Sequence, residues 1–197
     1  RQSKTSRIDQ CRICGVTCAA TSFEVMVDRE FTFVLLDECS QQTEPSSLIP
    51  ISFGCKRLVC CGDPNQLPPT LVKSAPSGLG RPLFSRVAHF FKPILLSYQY
   101  RCHPSIANLC STLFYKGRVK NAIGEEDRAP IHGMPTLCLF DLPNGKENFI
   151  GGSCQNIAEA LTVVCLVNFL LKKGIDSRQI GVIAFHKSQV EAISKPL

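Results

Sequence analysis

Two apolar segments that each end abruptly in polar residues place the strongest constraint on how this chain can fold. In residues 34–40, the apolar run stops at the carboxylate pair Asp37 and Glu38. In residues 58–69, the apolar run leads into a turn that contains Gln66. Buried strands that deliver carboxylates at their carboxyl ends hold Mg²⁺ and orient water at a nucleotide phosphate in P-loop-type folds. The two segments therefore predict a parallel α/β sheet and chemistry driven by nucleotide hydrolysis.

The other apolar patterns agree with an α/β fold, because predicted strands and helices alternate along the chain. The segment 31–36 is apolar on both faces, which is typical of a central strand in a parallel sheet. A domain boundary is predicted near Ser97–Arg101, which divides the chain into residues 1–97 and 98–197. The predicted strands are 11–19, 31–36, 56–61, 94–98, 136–141 and 180–185, and the predicted helices are 43–50, 82–91, 106–115, 156–173 and 188–193.

Twelve cysteines in 197 residues require an explanation. Most lie in apolar segments, where a thiol behaves as a small buried hydrophobic group, and this indicates a reduced intracellular protein. The alternative is a zinc site at Cys11, Cys14 and Cys18, whose spacing is like that of a zinc knuckle, although no second pair follows at the usual distance. The net charge of +6 permits a nucleic-acid partner without requiring one. No apolar run approaches the ~18 residues of a membrane span.

The residues that follow the two strands suit phosphoryl transfer to water. One carboxylate of the pair Asp37 and Glu38 can anchor Mg²⁺ while the other polarises the attacking water. The amide of Gln66 can donate to a phosphate oxygen and accept from a water. The alternatives are an exposed acidic turn for the first segment and a plain proline-rich turn for the second.

A third polar segment, residues 98–104, lies at the predicted domain boundary. Tyr100 can stack on a base, and Arg101 can reach a phosphate across a cleft. The alternative is an ordinary exposed strand end. His103 precedes a proline, a pattern that favours a helix entry over a catalytic histidine.

Three segments in this order resemble motifs II, III and IV of superfamily 1 helicases, and most of all those of the Upf-like branch. They are Asp-Glu-Cys-Ser-Gln-Gln-Thr-Glu-Pro at 37–45, Gly-Asp-Pro-Asn-Gln-Leu-Pro-Pro at 62–69 and Gln-Tyr-Arg-Cys-His-Pro at 99–104. The resemblance extends from about residue 11 to the end of the chain and includes similar residues at 153–160 and 179–183.

The resemblance implies specific roles for five residues. Asp37 would ligate Mg²⁺, and Glu38 would activate the attacking water. Gln66 would contact the γ-phosphate. Tyr100 would stack on adenine, and Arg101 would be the γ-phosphate arginine of a second RecA-like domain.

The resemblance also implies contacts to nucleic acid. Thr17 and Cys18 are similar to motif Ic, which lies along the strand in that family, and Gln189 is a further candidate. Where the family usually has Pro-Tyr, this chain has Phe185 and His186, so no strand contact is carried over to those two positions.

The resemblance implies a piece of an ATP-dependent 5′→3′ helicase core that uses Mg²⁺ and binds single-stranded nucleic acid, with DNA favoured over RNA. Residues 1–97 would form the later part of one RecA-like domain and residues 98–197 the early part of a second. A nuclear DNA helicase, one that carries a GRF-type zinc finger elsewhere, is the expected parent. The chain contains no G-x-x-x-x-G-K-[ST] segment, so we expect it to be inactive by itself. The alternative is a non-catalytic α/β module that binds nucleic acid or a protein.

Overall fold

The computed structural model describes residues 8, 10–71, 78–128, 130–131 and 133–196. The chain divides into two compact units, Arg1–Ala129 and Pro130–Leu197. Within the described residues, none of the helices combines the length and the apolar character needed to cross a bilayer.

The first unit opens with the parallel α/β arrangement that the sequence predicts. Strand β1 (Phe33–Leu36) pairs with strand β2 (Arg57–Cys60), and Leu36 lies opposite Cys60 in the register. Helix α1 (Glu44–Ile51) connects them, and it begins with a proline in its first turn, where a missing N–H costs no helical hydrogen bond. The predicted α/β fold class with parallel strand pairs is therefore confirmed.

The hydrophobic core of this unit covers only one face of β1. Val34 and Leu36 are buried together with Leu83, which belongs to helix α2 (Leu83–Val87). Phe33 and Leu35, on the opposite face, remain 57% and 56% exposed. The prediction that β1 is buried on both faces is wrong for the described residues, because a second apolar face is buried only where another layer packs on it, and composition does not report that layer.

A second strand–helix–strand segment completes the first unit. Strand β3 (Tyr98–Gln99) pairs in parallel with strand β4 (Lys120–Asn121), and helix α3 (Pro104–Tyr115) connects them. Nδ1 of His103 accepts a hydrogen bond from the Ser105 amide at 3.1 Å, so the imidazole caps the helix. The interpretation of His103 as a helix entry is confirmed.

Several predicted strands do not form in the described part of the chain. The segments 11–19, 136–141 and 180–185 pair with no described strand, and of 94–98 only Tyr98 is in a strand. Leu139 is 93% exposed and Ile183 is 96% exposed. An apolar run becomes a strand only when a neighbour satisfies its backbone N–H and C=O groups, and periodicity does not identify the neighbour.

Local hydrogen bonds close a turn at the end of the first of these segments. The hydroxyl of Thr21 donates to the carbonyl of Cys18 at 2.5 Å, and the Ala20 amide donates to the carbonyl of Thr17 at 2.9 Å. The backbone therefore enters a 3₁₀-helix at Ala19–Ser22. Threonine and serine hydroxyls that bond nearby carbonyls compete with strand pairing in this way.

The second unit combines a hairpin with two helices. Strands β5 (Glu147–Ile150) and β6 (Ser153–Asn156) pair antiparallel, and they are followed by helices α4 (Ile157–Lys172) and α5 (Lys187–Ser194). Ala160, Val164 and Ile193 form a buried hydrophobic cluster in this unit. Both helices match their predicted segments.

The hairpin of the second unit was not predicted. Its two-residue turn consists of Gly151 and Gly152, whose φ angles are +57° and +80°. Two consecutive positive φ angles match the twist of a tight hairpin, and glycine adopts them without steric cost. The Gly-Gly pair was the signal in the sequence that marked this turn.

Candidate functional site

The carboxylate pair lies at the carboxyl end of β1, exposed to solvent. Glu38 has φ 49° and ψ 32°, a left-handed conformation that is uncommon outside glycine. Its amide donates to Oδ1 of Asp37 at 3.1 Å, and its Oε2 accepts from Nε2 of Gln41 at 3.1 Å. Among the described residues, Oε1 of Glu38 and Oδ2 of Asp37 have no hydrogen-bond partner. The strand end thus presents one unengaged oxygen from each carboxylate.

Backbone hydrogen bonds place the end of β2 beside this pair. The Cys61 amide donates to the carbonyl of Leu36 at 2.8 Å, and the Cys39 amide donates back to the carbonyl of Cys61 at 2.9 Å. The parallel pairing therefore continues beyond both strands. The chain that leads to Gln66 leaves the sheet at the same edge as Asp37 and Glu38.

Ser40 attaches the second turn to the first. Its hydroxyl accepts from the Asp63 amide at 2.9 Å. A Cβ at Gly62 would lie 2.8 Å from the Ser40 amide nitrogen, which real Cβ atoms do not approach so closely. Glycine at position 62 therefore permits the close contact between the two turns.

Asp63 organises the turn that follows β2. Its Oδ1 accepts from the Asn65 amide at 3.0 Å, and its Oδ2 accepts both from Nε2 of Gln66 at 3.1 Å and from the hydroxyl of Tyr115 at 2.5 Å. Burial alone would raise the pKa of Asp63, but these three hydrogen bonds outweigh it and hold the pKa below its usual value. The hydrogen bond to Asp63 raises the pKa of Tyr115 to about 12. The carboxylate is therefore ionised and the phenol protonated at neutral pH.

Two side chains hold the turn that carries Tyr100 and Arg101. Oε1 of Gln99 accepts from the amides of Arg101 at 2.9 Å and Cys102 at 2.8 Å. The guanidinium of Arg128 donates to the carbonyl of Tyr100 at 3.2 Å and to that of Arg101 at 3.1 Å. The backbone of this turn is therefore fixed on its donor and acceptor sides, while the side chains of Tyr100 and Arg101 stay exposed.

The structure does not bring Arg101 onto the carboxylates. Helix α3 has 12 residues and is therefore roughly 18 Å long. Its last residue, Tyr115, contacts Asp63, whereas Arg101 precedes its first turn. In the described part of the chain, no hydrogen bond or ion pair joins the side chain of Arg101 to Asp37 or Glu38.

Thr17 and Cys18 share a cavity lining with Asp37. Both line a cavity of ≈ 450 Å³ that Asp37 and Cys39 also line. Cys18 packs against the core around Val34, and burial raises the pKa of its thiol. Thr17 stays exposed, and its hydroxyl oxygen lies 3.3 Å from the Ala20 amide.

The side chain of Gln189, in the second unit, is engaged with the backbone. Its Oε1 accepts from the Asn156 amide at 2.7 Å and its Nε2 donates to the Asn156 carbonyl at 3.2 Å. Asn156 in turn caps helix α4 by accepting from the Glu159 amide at 3.2 Å. The second N–H and the second lone pair of this amide remain for a contact to nucleic acid.

The donor set at the end of β1 fits Mg²⁺. This ion prefers oxygen ligands and is usually held by one or two carboxylates together with waters and phosphate oxygens. Asp37 provides one such carboxylate, which leaves Glu38 free to act as a base. Across the ranges that the structure describes, no three His, Cys, Asp or Glu side chains are grouped to hold a metal, and this includes Cys11, Cys14 and Cys18.

Three residues that contribute to this arrangement were not identified from the sequence. They are Ser40, Tyr115 and Arg128. Ser40 lies within the segment 37–45, but a serine hydroxyl there carries no signal of its partner. Tyr115 and Arg128 act over separations of 52 and 27 to 28 residues, which no short spacing rule reports.

Comparison with protein families gives matches along nearly the whole chain. A family profile described as "AAA domain" matches residues 79–197, and a second profile of the same description matches residues 1–74.

Curated relatives match over the same region. The 5′-3′ DNA helicase ZGRF1 of Mus musculus is 43% identical over 192 residues, which cover 94% of this chain and 10% of the relative. The helicase SEN1 of Saccharomyces cerevisiae is 36% identical over 199 residues, with coverages of 93% and 9%. The regulator of nonsense transcripts 1 homolog of Neurospora crassa is 32% identical over 200 residues, with coverages of 96% and 18%. The chain therefore spans from 9% to 18% of the length of these three relatives.

Proposed function

Because this chain belongs to the AAA-domain family of Upf1-like superfamily 1 helicases, we propose that it forms part of the ATP-driven motor of a nucleic-acid helicase. Its α/β fold with parallel strand pairs belongs to the RecA-like P-loop class. The observation that carries the proposal is the meeting of two strand ends, one bearing Asp37 and Glu38 and the other bearing Gln66, held together by Ser40.

In the proposed mechanism, Glu38 is the general base. Its Oε1 accepts the proton of the attacking water, while the hydrogen bond from Gln41 to Oε2 fixes the carboxylate. Asp37 would hold Mg²⁺ through its unengaged oxygen. Bound Mg²⁺-ATP supplies the phosphoanhydride to be cleaved and the cation that neutralises charge on its phosphates. Gln66 donates to the γ-phosphate and thereby senses whether it is present.

Tyr100 and Arg101 have roles that depend on closure of a cleft. Tyr100 stacks on adenine, and Arg101 stabilises the charge that develops on the γ-phosphate. Since Arg101 is exposed and its side chain makes no hydrogen bond or ion pair with the carboxylates among the described residues, its action requires a conformational change upon ATP binding. This proposal keeps the boundary near Ser97–Arg101 between residues 1–97 and 98–197.

The proposed partner is single-stranded nucleic acid, with DNA favoured. Thr17 and Cys18, beside Asp37 in one cavity lining, would couple the strand to the nucleotide site. Gln189, in the second unit, is a further proposed contact to the strand. Movement along a strand requires contacts that do not read sequence. The relative ZGRF1 is named a 5′-3′ DNA helicase, which supports DNA and a 5′→3′ direction for the protein that contains this chain. A nuclear role in DNA repair is a further part of this proposal.

The substitution Glu38→Gln tests the proposed function in the full-length protein. It preserves the shape of the side chain and removes the base, so ATP binding should stay close to that of the unsubstituted protein while turnover is lost. Nucleotide binding by fluorescence and ATPase activity with single-stranded DNA measure the two effects. Glu24→Gln, an exposed glutamate in a 3₁₀-helix, is the control. An unsubstituted protein without ATPase activity would instead support the non-catalytic module.

A further inference from the structure

The side chains of Tyr115 and Gln66 donate hydrogen bonds to the same oxygen atom of Asp63. Oδ2 of Asp63 accepts from the hydroxyl of Tyr115 at 2.5 Å and from Nε2 of Gln66 at 3.1 Å. Hydrogen bonds to a charged acceptor are about twice as strong as neutral ones. The position of the Gln66 amide therefore depends on a carboxylate that Tyr115 holds from the other side.

A second hydrogen bond joins the turn after β2 to helix α3. Nδ2 of Asn65 donates to the carbonyl of Phe114 at 3.1 Å. The last carbonyls of a helix lack donors within the helix, and this contact supplies one to the final turn of α3. Ser111 fixes that turn to the following segment, because its hydroxyl donates to the carbonyl of Val119 at 2.7 Å. The phenol of Tyr115 is thus presented from an anchored helix end.

The amide of Gln66 has one defined orientation in this arrangement. Its NH₂ group faces Asp63, so its second N–H remains for a phosphate oxygen. Its Oε1, which has no partner among the described residues, remains to accept from a water. A rotation of the carboxylate of Asp63 would remove this constraint, since Gln66 itself is exposed and has no other side-chain hydrogen bond there.

We propose that Tyr115 is a positioning residue for Gln66: its hydroxyl fixes the carboxylate of Asp63, and that carboxylate orients the side-chain amide of Gln66. This inference rests on the proposed function, in which Gln66 contacts the γ-phosphate. Through helix α3, the same contact links the turn after β2 to the chain segment that carries Tyr100 and Arg101. The lowered pKa of Asp63 agrees with a permanently ionised acceptor at neutral pH.

The substitution Tyr115→Phe removes one oxygen and keeps the aromatic ring. In the full-length protein we expect kcat for ATP hydrolysis with single-stranded DNA to fall about tenfold, the size of one lost hydrogen bond to a charged group. Tyr98→Phe is the matched control, because the hydroxyl of Tyr98 makes no hydrogen bond within the described ranges and should leave kcat unchanged.

A double-mutant cycle separates positioning from general destabilisation. If Tyr115 acts through Gln66, Tyr115→Phe should cause no further loss of kcat in a Gln66→Ala background, whereas a structural role would lower activity equally in both backgrounds. Asn65→Ala, which leaves the carboxylate contact intact, provides a second test and should lower kcat less than Tyr115→Phe does.

The outcomes distinguish this inference from the proposed function. An active unsubstituted protein in which Tyr115→Phe retains full kcat, or in which the losses from Tyr115→Phe and Gln66→Ala multiply, overturns the role of Tyr115 alone. An inactive unsubstituted protein overturns the proposed function. The positioning role is supported if Tyr115→Phe lowers kcat in the protein that retains Gln66 and does not lower it further in the Gln66→Ala variant.

Discussion

A hydrogen bond joins Asp63 and Tyr115, which lie 52 positions apart in the sequence, and it contributes to the pKa shifts of both groups. The folded state lowers the pKa of Asp63 from 3.8, so the ionised carboxylate stabilises the folded chain. This stabilisation is complete above pH 3.8 and is lost as the pH falls through the folded pKa. The folded state raises the pKa of Tyr115 from 10.0 to about 12, so its stabilisation is complete below 10.0 and is lost as the pH rises towards 12.

These shifts predict how stability depends on pH. The difference in thermal midpoint between the unsubstituted chain and Tyr115→Phe should be constant from about pH 5 to about pH 9 and should shrink at more acid pH. Differential scanning fluorimetry across this range measures it. A difference that instead grows as the pH is lowered below 4 contradicts the assignment of Asp63 as an ionised acceptor.

Tyr100 and Arg101 are adjacent, yet their substitution should affect different kinetic constants. Arg101→Ala should reduce kcat for ATP by on the order of a thousandfold, as for an arginine that stabilises transition-state charge. Tyr100→Ala should mainly raise KM, because stacking is equal in the ground and transition states. Steady-state ATPase assays on the full-length protein give both constants.

Binding of single-stranded DNA without nucleotide is the control for this pair. Neither substitution should change it, since both side chains are assigned to the nucleotide. If Arg101→Ala abolished strand binding and kept its ATPase activity, Arg101 would belong to the nucleic-acid groove and the boundary at Ser97–Arg101 would move.

At the scale of elements, the turn after β3 depends on a guanidinium from a short 3₁₀-helix, Glu126–Arg128. Arg128 donates to the carbonyls of Tyr100 and Arg101, so Arg128→Ala should free the turn and impair both side chains at once. We expect kcat/KM for ATP to fall about tenfold. Lysine cannot reproduce the fork of a guanidinium, so Arg128→Lys should recover only part of the loss.

The control for this prediction is Arg178→Ala, which removes an exposed arginine paired with Asp176. Its kcat/KM should match that of the unsubstituted protein. If Arg128→Ala altered KM without changing kcat, the turn would hold Tyr100 but not Arg101.

Helices were predicted better than strands in this chain, for a physical reason. Helix α3 and helix α4 satisfy their hydrogen bonds internally, so their apolar spacing and caps predict them from local sequence. The segments 136–141 and 180–185 have the composition of strands but pair with no described strand. Pairing is a property of two segments, and a pattern in one of them cannot supply it.

At the scale of the whole molecule, the proposed nucleotide chemistry needs a loop that cradles phosphates. The sequence has no G-x-x-x-x-G-K-[ST] loop to cradle phosphates. The isolated chain should therefore hydrolyse ATP far more slowly than a typical enzyme rate of ~10 s⁻¹. An ATPase assay at saturating single-stranded DNA, with Glu38→Gln as the background control, measures this. Turnover near the typical rate would contradict the dependence on an added loop.

The amino-acid sequence by itself determined the order of the proposed site residues. Asp37 and Glu38 after one strand and Gln66 after the next are consequences of short apolar runs that end in polar residues, and such runs are local. The parallel pairing of β1 with β2 followed from the same pattern, since both strands carry their polar residues at the carboxyl end.

Only the tertiary structure decided which distant residues contact the turns that carry the proposed site residues. The hydrogen bond from Tyr115 to Asp63, the contact of Arg128 with the turn at Tyr100, and the burial of a single face of β1 all join segments far apart in the chain. Each depends on how elements pack rather than on their own residues, because a side chain acquires its partner only when folding brings another element within hydrogen-bonding distance.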